Sequence, residues 1–321
     1  TLAFLYSSLN LSAFKVVVPV CLRSDTSIVM DSNLKVATWN ILWTDFNFEK
    51  RIEEITANLL GVDIICLQEV REDSIFHAGQ ELAAKLGIKM VSNAHYATSE
   101  KPKYEMGIKI NSVILSKYDA IESGVVDTKN GDYGLIAFAL LDTPHRPTLV
   151  FSAHLDWGGE KEFERLAQVK SINEASQLYL ERIKRKYGAD PIIVLAGDFN
   201  TEPDSQTILY LEGKQATVQE NQAQWVDAWG LANPGSEGYT SVPSENELAY
   251  KVGQAHVYEP SMIPPRRIDY IFVKGWAYGK PGHTLSAELL GTRSLLGETL
   301  GSDHYGILAE LWNPTPKSLD D

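Results

Sequence analysis

Asp198 and Asn200 stand two residues apart at the end of an apolar run, in the stretch DPIIVLAGDFNTEPDS from Asp190 to Ser205. A carboxylate and an amide oxygen side by side at a strand end can hold a hard cation or orient a water molecule. If extended geometry continues through them, both side chains point to the same face. Asp, Asn, Thr and Pro also favour turns, so this stretch alone leaves a plain turn equally open. What decides is recurrence. Asn40 ends LKVATWN, Gln68 and Glu69 come near the end of VDIICLQEV, and His154 ends PTLVFSAH. Asp269 lies in RRIDYIFV, and Asp303 and His304 lie in GSDHYGIL. Each has a bland explanation by itself. Asn40 could cap a turn, Glu69 could be a solvated strand end, His154 a satisfied core histidine, and Asp269 a partner for Arg266 or Arg267. That account has to be invoked anew for every one of them, although all sit at or beside strong apolar strands, where a mixed sheet gathers its site.

The elements that must position these residues alternate at first. LKVATWN reads as a strand, and FEKRIEEITANLLG as a helix with Phe48, Ile52, Ile55 and Leu59 on one face and Gly61 as its stop. VDIICLQEV is a second strand, and SIFHAGQELAAKLG a helix ending at Gly87. NSVILS, GLIAFALL and PTLVFSAH follow with short turns between them, which predicts antiparallel hairpins. A long amphipathic helix comes next, with Phe163, Leu166, Val169, Ile172, Tyr179 and Ile183 on one face. Its basic end, RIKRK, complements the helix dipole better than it argues for a phosphate site. The run IIVLAGD is a strand buried on both faces, with Gly197 permitting a turn or a close approach. Residues 215–265 read as irregular. RIDYIFV, LSAELLG and YGILAEL close the chain as strands, and the tail from Asn313 is expected to be loose.

Composition sets outer bounds. The 321 residues fit one large α/β domain or two smaller ones. A net charge of −13 does not suit a tight, non-specific nucleic-acid binder. It is compatible with an enzyme that meets phosphate through a metal ion. Two cysteines, Cys21 and Cys66, form no CxxC pair, which favours a reducing compartment and a cytoplasmic location. The first residues, TLAFLYSSLNLSAFKVVVPVCL, lack a basic start and are interrupted by Lys15 and Pro19. Neither a signal peptide nor a membrane span is expected there; an extra strand over Phe14–Cys21 is.

Taken in order, ATWNILW, ICLQEV, INSVILS, FSAHLD, LAGDFNTEPDS, RRIDYIFV and GSDHYGIL resemble the motifs of the endonuclease/exonuclease/phosphatase superfamily of metal-dependent phosphohydrolases. The resemblance spans Leu34 to about Leu311. One departure is Ala153, where the family often has Thr; it touches one hydrogen bond behind His154, not the histidine. The resemblance implies an α/β (α+β) fold, a four-layer α/β/β/α sandwich with two packed mixed sheets. Met30 stands just before the first strong strand, so residues 1–29 are expected to be an extension outside a single catalytic domain over 30–321, and a monomer is expected. The resemblance implies that Glu69 binds a divalent metal, Mg²⁺ or Mn²⁺, with Asn40 nearby and Asp303 completing the site. Asp198 and Asn200 would orient the attacking water and the phosphate. His154 and His304 would contact phosphate oxygens, with Asp269 holding His304. Oxygen ligands suit Mg²⁺, and the clustered His/Cys spacing of a zinc site is missing.

The substrate is less legible. A Trp-x-Asp-Arg signature of the inositol phosphatase branch is replaced by RRIDYIF, and residues 215–265 hold more acids than bases, unlike a loop that grips duplex DNA. Trp276 and Tyr278 make a weak candidate for a lipid-touching hairpin. The expected substrate is a phosphodiester, a nucleic acid or nucleotide-like molecule. A phosphatase, a sphingomyelinase-like lipid phosphodiesterase and an inactive binding module are the alternatives. The last of these should have lost Glu69, Asp198 or His304, and all three are present.

Overall fold

The chain's structure, a computed structural model, describes residues 33–95, 108–215, 223–254, 257, 259–275 and 278–315. The strand expected over Phe14–Cys21 and Trp276 lie outside these residues. The described chain opens with β1 (Leu34–Asn40), α1 (Phe48–Leu59), β2 (Ile64–Glu72) and α2 (Ala78–Leu86). It continues through β3 (Lys89–His95), β4 (Lys109–Ser116), β5 (Ala120–Asp127), β6 (Leu135–Leu141) and β7 (Thr148–His154). Then come α3 (Glu162–Tyr187), β8 (Ile192–Asp198), α4 (Gln206–Leu211), β9 (Trp225–Asp227), α5 (Ala228–Ala232) and α6 (Glu247–Gly253). Three strands finish it, β10 (Asp269–Lys274), β11 (Thr284–Leu290) and β12 (Gly306–Leu311).

The strands form two six-stranded mixed sheets, ordered β11-β12-β1-β2-β4-β3 and β5-β6-β7-β8-β10-β9. Parallel pairing joins β1 to β2 and β7 to β8, and the other neighbours are antiparallel. Alternate residues explain why the central runs read as continuously apolar. Along β1, Leu34 and Val36 enter the core between the sheets, while Ala37 and Trp39 face α1 with Ile52 and Ile55. Along β8, Ile192, Val194 and Ala196 enter the same inter-sheet core, while Ile193 and Leu195 face Val169 and Ile172 of α3. A strand covered on both faces has no polar side to show. The result is a sandwich with helices outside each sheet.

Several expectations are corrected. NSVILS and GLIAFALL do not form a hairpin: β4 belongs to the first sheet and β6 to the second. GLIAFALL and PTLVFSAH do pair as the expected hairpin, β6 with β7, and the other neighbour of β6 is β5, an exposed edge strand without an apolar signature. Phe163, in the first turn of α3, is 81% exposed and lies outside the buried face; Leu166, Val169, Ile172, Tyr179 and Ile183 do pack on the second sheet. Residues 215–265 hold β9, α5 and α6 among their described parts. The tail is anchored at its start, since Asn313 is fully buried and accepts from Arg146 Nε at 3.1 Å.

Candidate active site

The parity of the strands carries straight into a site. Following Leu34, Val36 and then Thr38, the next side chain toward the inter-sheet space is Asn40; following Val194 and Ala196 it is Asp198. The first polar layer above the apolar core is neutral. Thr38 Oγ1 donates to Gln68 Oε1 at 3.3 Å, and Gln68 Nε2 donates to Ser152 Oγ at 3.2 Å, linking both sheets. Two residues further along β1, β7 and β8, the layer becomes ionic. Register places Asp198 between His154 on β7 and Asp269 on β10. Across the sandwich, Asn40 Nδ2 donates to Asp198 Oδ2 at 3.0 Å.

Glu69 breaks the parity. Gln68 already points between the sheets, so a regular strand would turn Glu69 toward the helices. Instead β2 shifts register between Leu67 and Val70, and Glu69 has φ 55°. A left-handed, non-glycine residue in a bulge is a strained device for aiming one side chain, and it aims the carboxylate into the cleft. There Asn40 Nδ2 donates to Glu69 Oε1 at 3.2 Å and Trp43 N donates to Oε2 at 3.3 Å. Asn200 also has a left-handed backbone, with φ 52°. β8 ends at Asp198, so a turn, not strand alternation, brings the pair together: Asn200 N donates to Asp198 Oδ1 at 2.9 Å. Asn200 Nδ2 donates to Leu155 O at 2.9 Å, fixing that turn to the end of β7. Gly197 is required because a Cβ there would lie 1.9 Å from Ala153 O on the paired strand.

Asp303 and His304 arrive on the loop before β12. Ser302 Oγ donates to Asn40 O at 2.6 Å, and Trp39 Nε1 donates to His304 O at 2.9 Å, so the loop is pinned to β1. Asp269, fully buried, does not pair with either neighbouring arginine; its Oδ2 lies 2.9 Å from His304 Nδ1. His154 Nε2 and His304 Nδ1 lie 3.6 and 3.9 Å from Asp198 Oδ2. Burial alone would lower the His304 pKa. The charges of Asp269 and Asp198 and the Asp269 hydrogen bond outweigh it and hold His304 well above its ordinary value. Burial raises the Glu69 carboxyl; the charge of His154 pulls it back, and that of Asp303 raises it further.

All eight residues singled out in the sequence therefore meet at one end of the sandwich. Six of them, Glu69, His154, Asp198, Asn200, Asp303 and His304, line a cleft of about 370 Å³, with Asn40 and Asp269 directly behind. A larger cleft of about 980 Å³ beside β9 holds none of the eight. Size does not mark the chemistry here; converging charge does. The acidic and histidine donors Asp198, Asp269 and His304 lie close enough to hold a metal ion. Asp269 and His304 are already joined to one another, and the cleft offers a second pair of oxygen donors in the carboxylates of Glu69 and Asp303, the first raised by the charge of the second.

Three contributors were not read from the sequence. Arg51, 1% exposed, donates to the carbonyls of Ile41, Leu42, Thr44, Phe46 and Gly301. It ties the β1–α1 loop to the loop carrying Asp303. Burial lowers its pKa to about 10, against the raising charges of Asp303 and Glu69. Its signal was available, as an arginine on the apolar face of α1. Tyr133 lines the cleft with its ring 4.8 Å from that of His154, and Trp157 lines the cleft and is 53% exposed. Both come from connecting loops, whose sequence carries no sign of what they face.

A family model described as the endonuclease/exonuclease/phosphatase family matches residues 37–304. The chain belongs to this family. That span runs from β1 through the His304 loop and includes every residue of the site. The fruit-fly protein named Protein angel, from Drosophila melanogaster, is 25% identical over 220 residues. The match covers 58% of this chain, and the chain spans 58% of the length of that relative. Among solved structures, D. rerio TDP2 complexed with single strand DNA product has a TM-score of 0.62 at 19% identity, covering 88% of this chain and 99% of that one. A conserved protein of Enterococcus faecalis has a TM-score of 0.60 at 22% identity, covering 87% and 100%. At these identities the structural likeness establishes the fold, that of the family's phosphoester hydrolases. Among the described residues no helix is long and apolar enough to cross a membrane.

Proposed function

We propose that this chain is a divalent-metal-dependent phosphodiesterase acting on nucleic acid or a nucleotide-like phosphodiester, with residues 30–321 as its catalytic domain. The observation that carries the reading is the convergence on one 370 Å³ cleft of two carboxylates, Glu69 and Asp303, beside a second group in which Asp198 is flanked by His154 and His304. Glu69 and Asp303, with Asn40 beside them, would hold the cation, Mg²⁺ or Mn²⁺. When bound, such an ion neutralises charge on the phosphate oxygens and helps place the substrate.

The chain's own groups do the rest. Asn40, bonded to both Glu69 and Asp198, fixes the spacing between the metal-binding group and the water-orienting group. Asp198 accepts a proton from, or orients, the attacking water; the Asn200 N–H on its Oδ1 keeps the other oxygen turned to the cleft. Asp269 holds His304 through Nδ1, which leaves Nε2 and its proton for a phosphate oxygen or the leaving oxygen. His154 supplies a second contact from β7. The aromatic residues on the cleft, Trp43, Tyr133 and Trp157, suit a substrate carrying flat rings. D. rerio TDP2, which was solved with a single-stranded DNA product, supports a nucleic-acid substrate by likeness only.

The test is a panel of phosphoesters assayed with Mg²⁺, Mn²⁺ and EDTA. Turnover of phosphodiesters that disappears in EDTA and returns with either ion is expected. Equal turnover in chelator would overturn the metal assignment, and a preference for monoesters or sphingomyelin would move the reading to the phosphatase or lipid branch.

A further inference from the structure

The catalytic cleft does not end at Asn200. A second cleft of about 560 Å³ shares Trp157 and Asn200 with it, so the two form one groove with a tryptophan at their junction. The second cleft is polar but poor in usable positive charge. Arg165 lines it yet is consumed: NH1 donates to Asp156 O at 2.8 Å and Gly158 O at 2.7 Å, while Nε and NH2 reach Glu162 at 3.2 Å. Glu162 in turn accepts from Thr207. That leaves Arg266, whose Nε makes no hydrogen bond and whose ion pair with Glu202 is loose at 3.9 Å. Against this one cation stand Glu202 and Asp204.

We propose that this second cleft is a subsite for one nucleoside next to the scissile phosphate, stacked on Trp157 and contacted by Arg266. The proposal rests on the phosphodiesterase reading and deepens it. A nucleobase has a face for the indole, and its amines and the sugar hydroxyls can donate to Glu202 and Asp204. A further phosphate would meet two carboxylates and a single guanidinium, so the groove accepts a nucleoside and resists a longer polyanion on that side. Specificity then favours short or terminal phosphodiesters over the interior of a long strand.

The test compares thymidylyl-thymidine with methyl p-nitrophenyl phosphate, an ester too small to enter the second cleft. Trp157→Ala should raise KM for the dinucleotide about 5- to 150-fold, the range for one lost base stack, and several-fold more than it raises KM for the small ester. Trp157→Phe should recover most of the loss. Joint replacement Glu202→Gln with Asp204→Asn should lower KM for a thymidine trinucleotide more than for the dinucleotide. Equal changes on both esters, or no change for the dinucleotide, would overturn the subsite while leaving the phosphodiesterase reading in place. Failure of that reading shows separately, as no turnover of either ester with Mg²⁺ or Mn²⁺. Calorimetry of thymidylyl-thymidine on the metal-free protein then decides. Weaker binding by Trp157→Ala supports the subsite, and unchanged binding overturns it.

Discussion

The two ends of the sandwich both bury polar groups, and they do so in opposite ways. At the end where β7 begins, Thr143 Oγ1 donates to Arg146 O at 2.6 Å and lies 2.7 Å from Thr148 Oγ1. Arg146 donates to Asn313 Oδ1, Asp190 O and Pro314 O, and Asn313 Nδ2 donates to Pro144 O. Every acceptor there is neutral, and the network is a plug that closes the core. At the end where β7 stops, Glu69, Asp198, Asp269 and Asp303 gather around His154 and His304. The buried arginine there, Arg51, spends its hydrogen bonds on carbonyls and lends only its field to the carboxylates. Negative charge is left over and faces a cleft. Surplus charge on an open surface, not buried polarity as such, separates a candidate site from structural caulking.

The contrast breaks most directly by swapping damage between the ends. His304→Ala and His154→Ala are each expected to cut turnover by ~10²–10⁴ while Tm stays near wild type, because each removes a group positioned for proton transfer or phosphate contact. Arg146→Ala is expected to do the reverse. It strands several buried carbonyls and Asn313, costs about 2–4 kcal/mol, and leaves turnover per folded molecule intact. Measuring Tm and turnover on the same preparations separates the two ends. If Arg146→Ala lowers turnover as much as His304→Ala does, the plug is part of the machinery and the distinction collapses.

Gly197→Ala tests how tightly the charged end is spaced. Its Cβ would sit 1.9 Å from Ala153 O, so β7 and β8 must part where they carry His154 and Asp198. The expected cost is about 3 kcal/mol with a fall in turnover beyond that explained by unfolding. Gly188→Ala is the control: φ is +67° but nothing lies within 4 Å of the added Cβ, so about 1 kcal/mol and unchanged turnover are expected. A Gly197→Ala protein no worse than this control would mean that the strand ends are free to shift.

The sequence was most readable where both faces of a strand are covered. The bounds of β1, Leu34–Asn40, are those of the run LKVATWN, because burial on both faces leaves only Lys35 exposed along it. The same reason made Asn40, His154 and Asp198 conspicuous, as the polar side chains on which such runs end. What failed to show is what depends on distant pairing or local backbone. β5 is exposed at a sheet edge and has no apolar pattern to read, and its absence from the reading is what misplaced β4 beside β6. The bulge that presents Glu69 is invisible in QEV, since nothing in three residues says that the register slips. Arg51 was hidden differently: helical spacing put it among apolar residues, and only the loops it grips reveal why.

Metal binding sharpens the comparison by a smaller amount. At about 100 times its Kd, Mg²⁺ should stabilise the folded protein by about 2.7 kcal/mol, a rise of a few degrees in Tm. Glu69→Gln should abolish most of that rise. In EDTA the same variant should match or exceed wild type, since the substitution removes one of two carboxylates that raise each other's energy in a partly buried cleft. An identical Mg²⁺ shift in both proteins would place the ion elsewhere.

The smallest effect comes from a half-buried cation, Lys274, at the end of β10. Its Nζ donates to Asn173 Oδ1 at 2.6 Å and lies 4.7 Å from the Trp225 ring, and no carboxylate among the described residues is bound to it. Burial lowers its pKa to about 8. The sign follows from proton uptake. Between pH 8 and about pH 10.4 the unfolded lysine is still protonated while the folded one is losing its proton, so the unfolded state binds more protons and stability rises with pH. Below pH 8 the penalty of the buried charge is present in full. From about pH 8 to about pH 9.5 this group should add on the order of 1–2 kcal/mol to the wild type relative to Lys274→Met, which keeps the packing on Trp225 and removes the titration. Denaturant titrations of both proteins at those pH values check it. Parallel stability curves would show that Nζ keeps its proton, and that one amide oxygen and an indole face satisfy a cation as well as the carbonyls around Arg146 do.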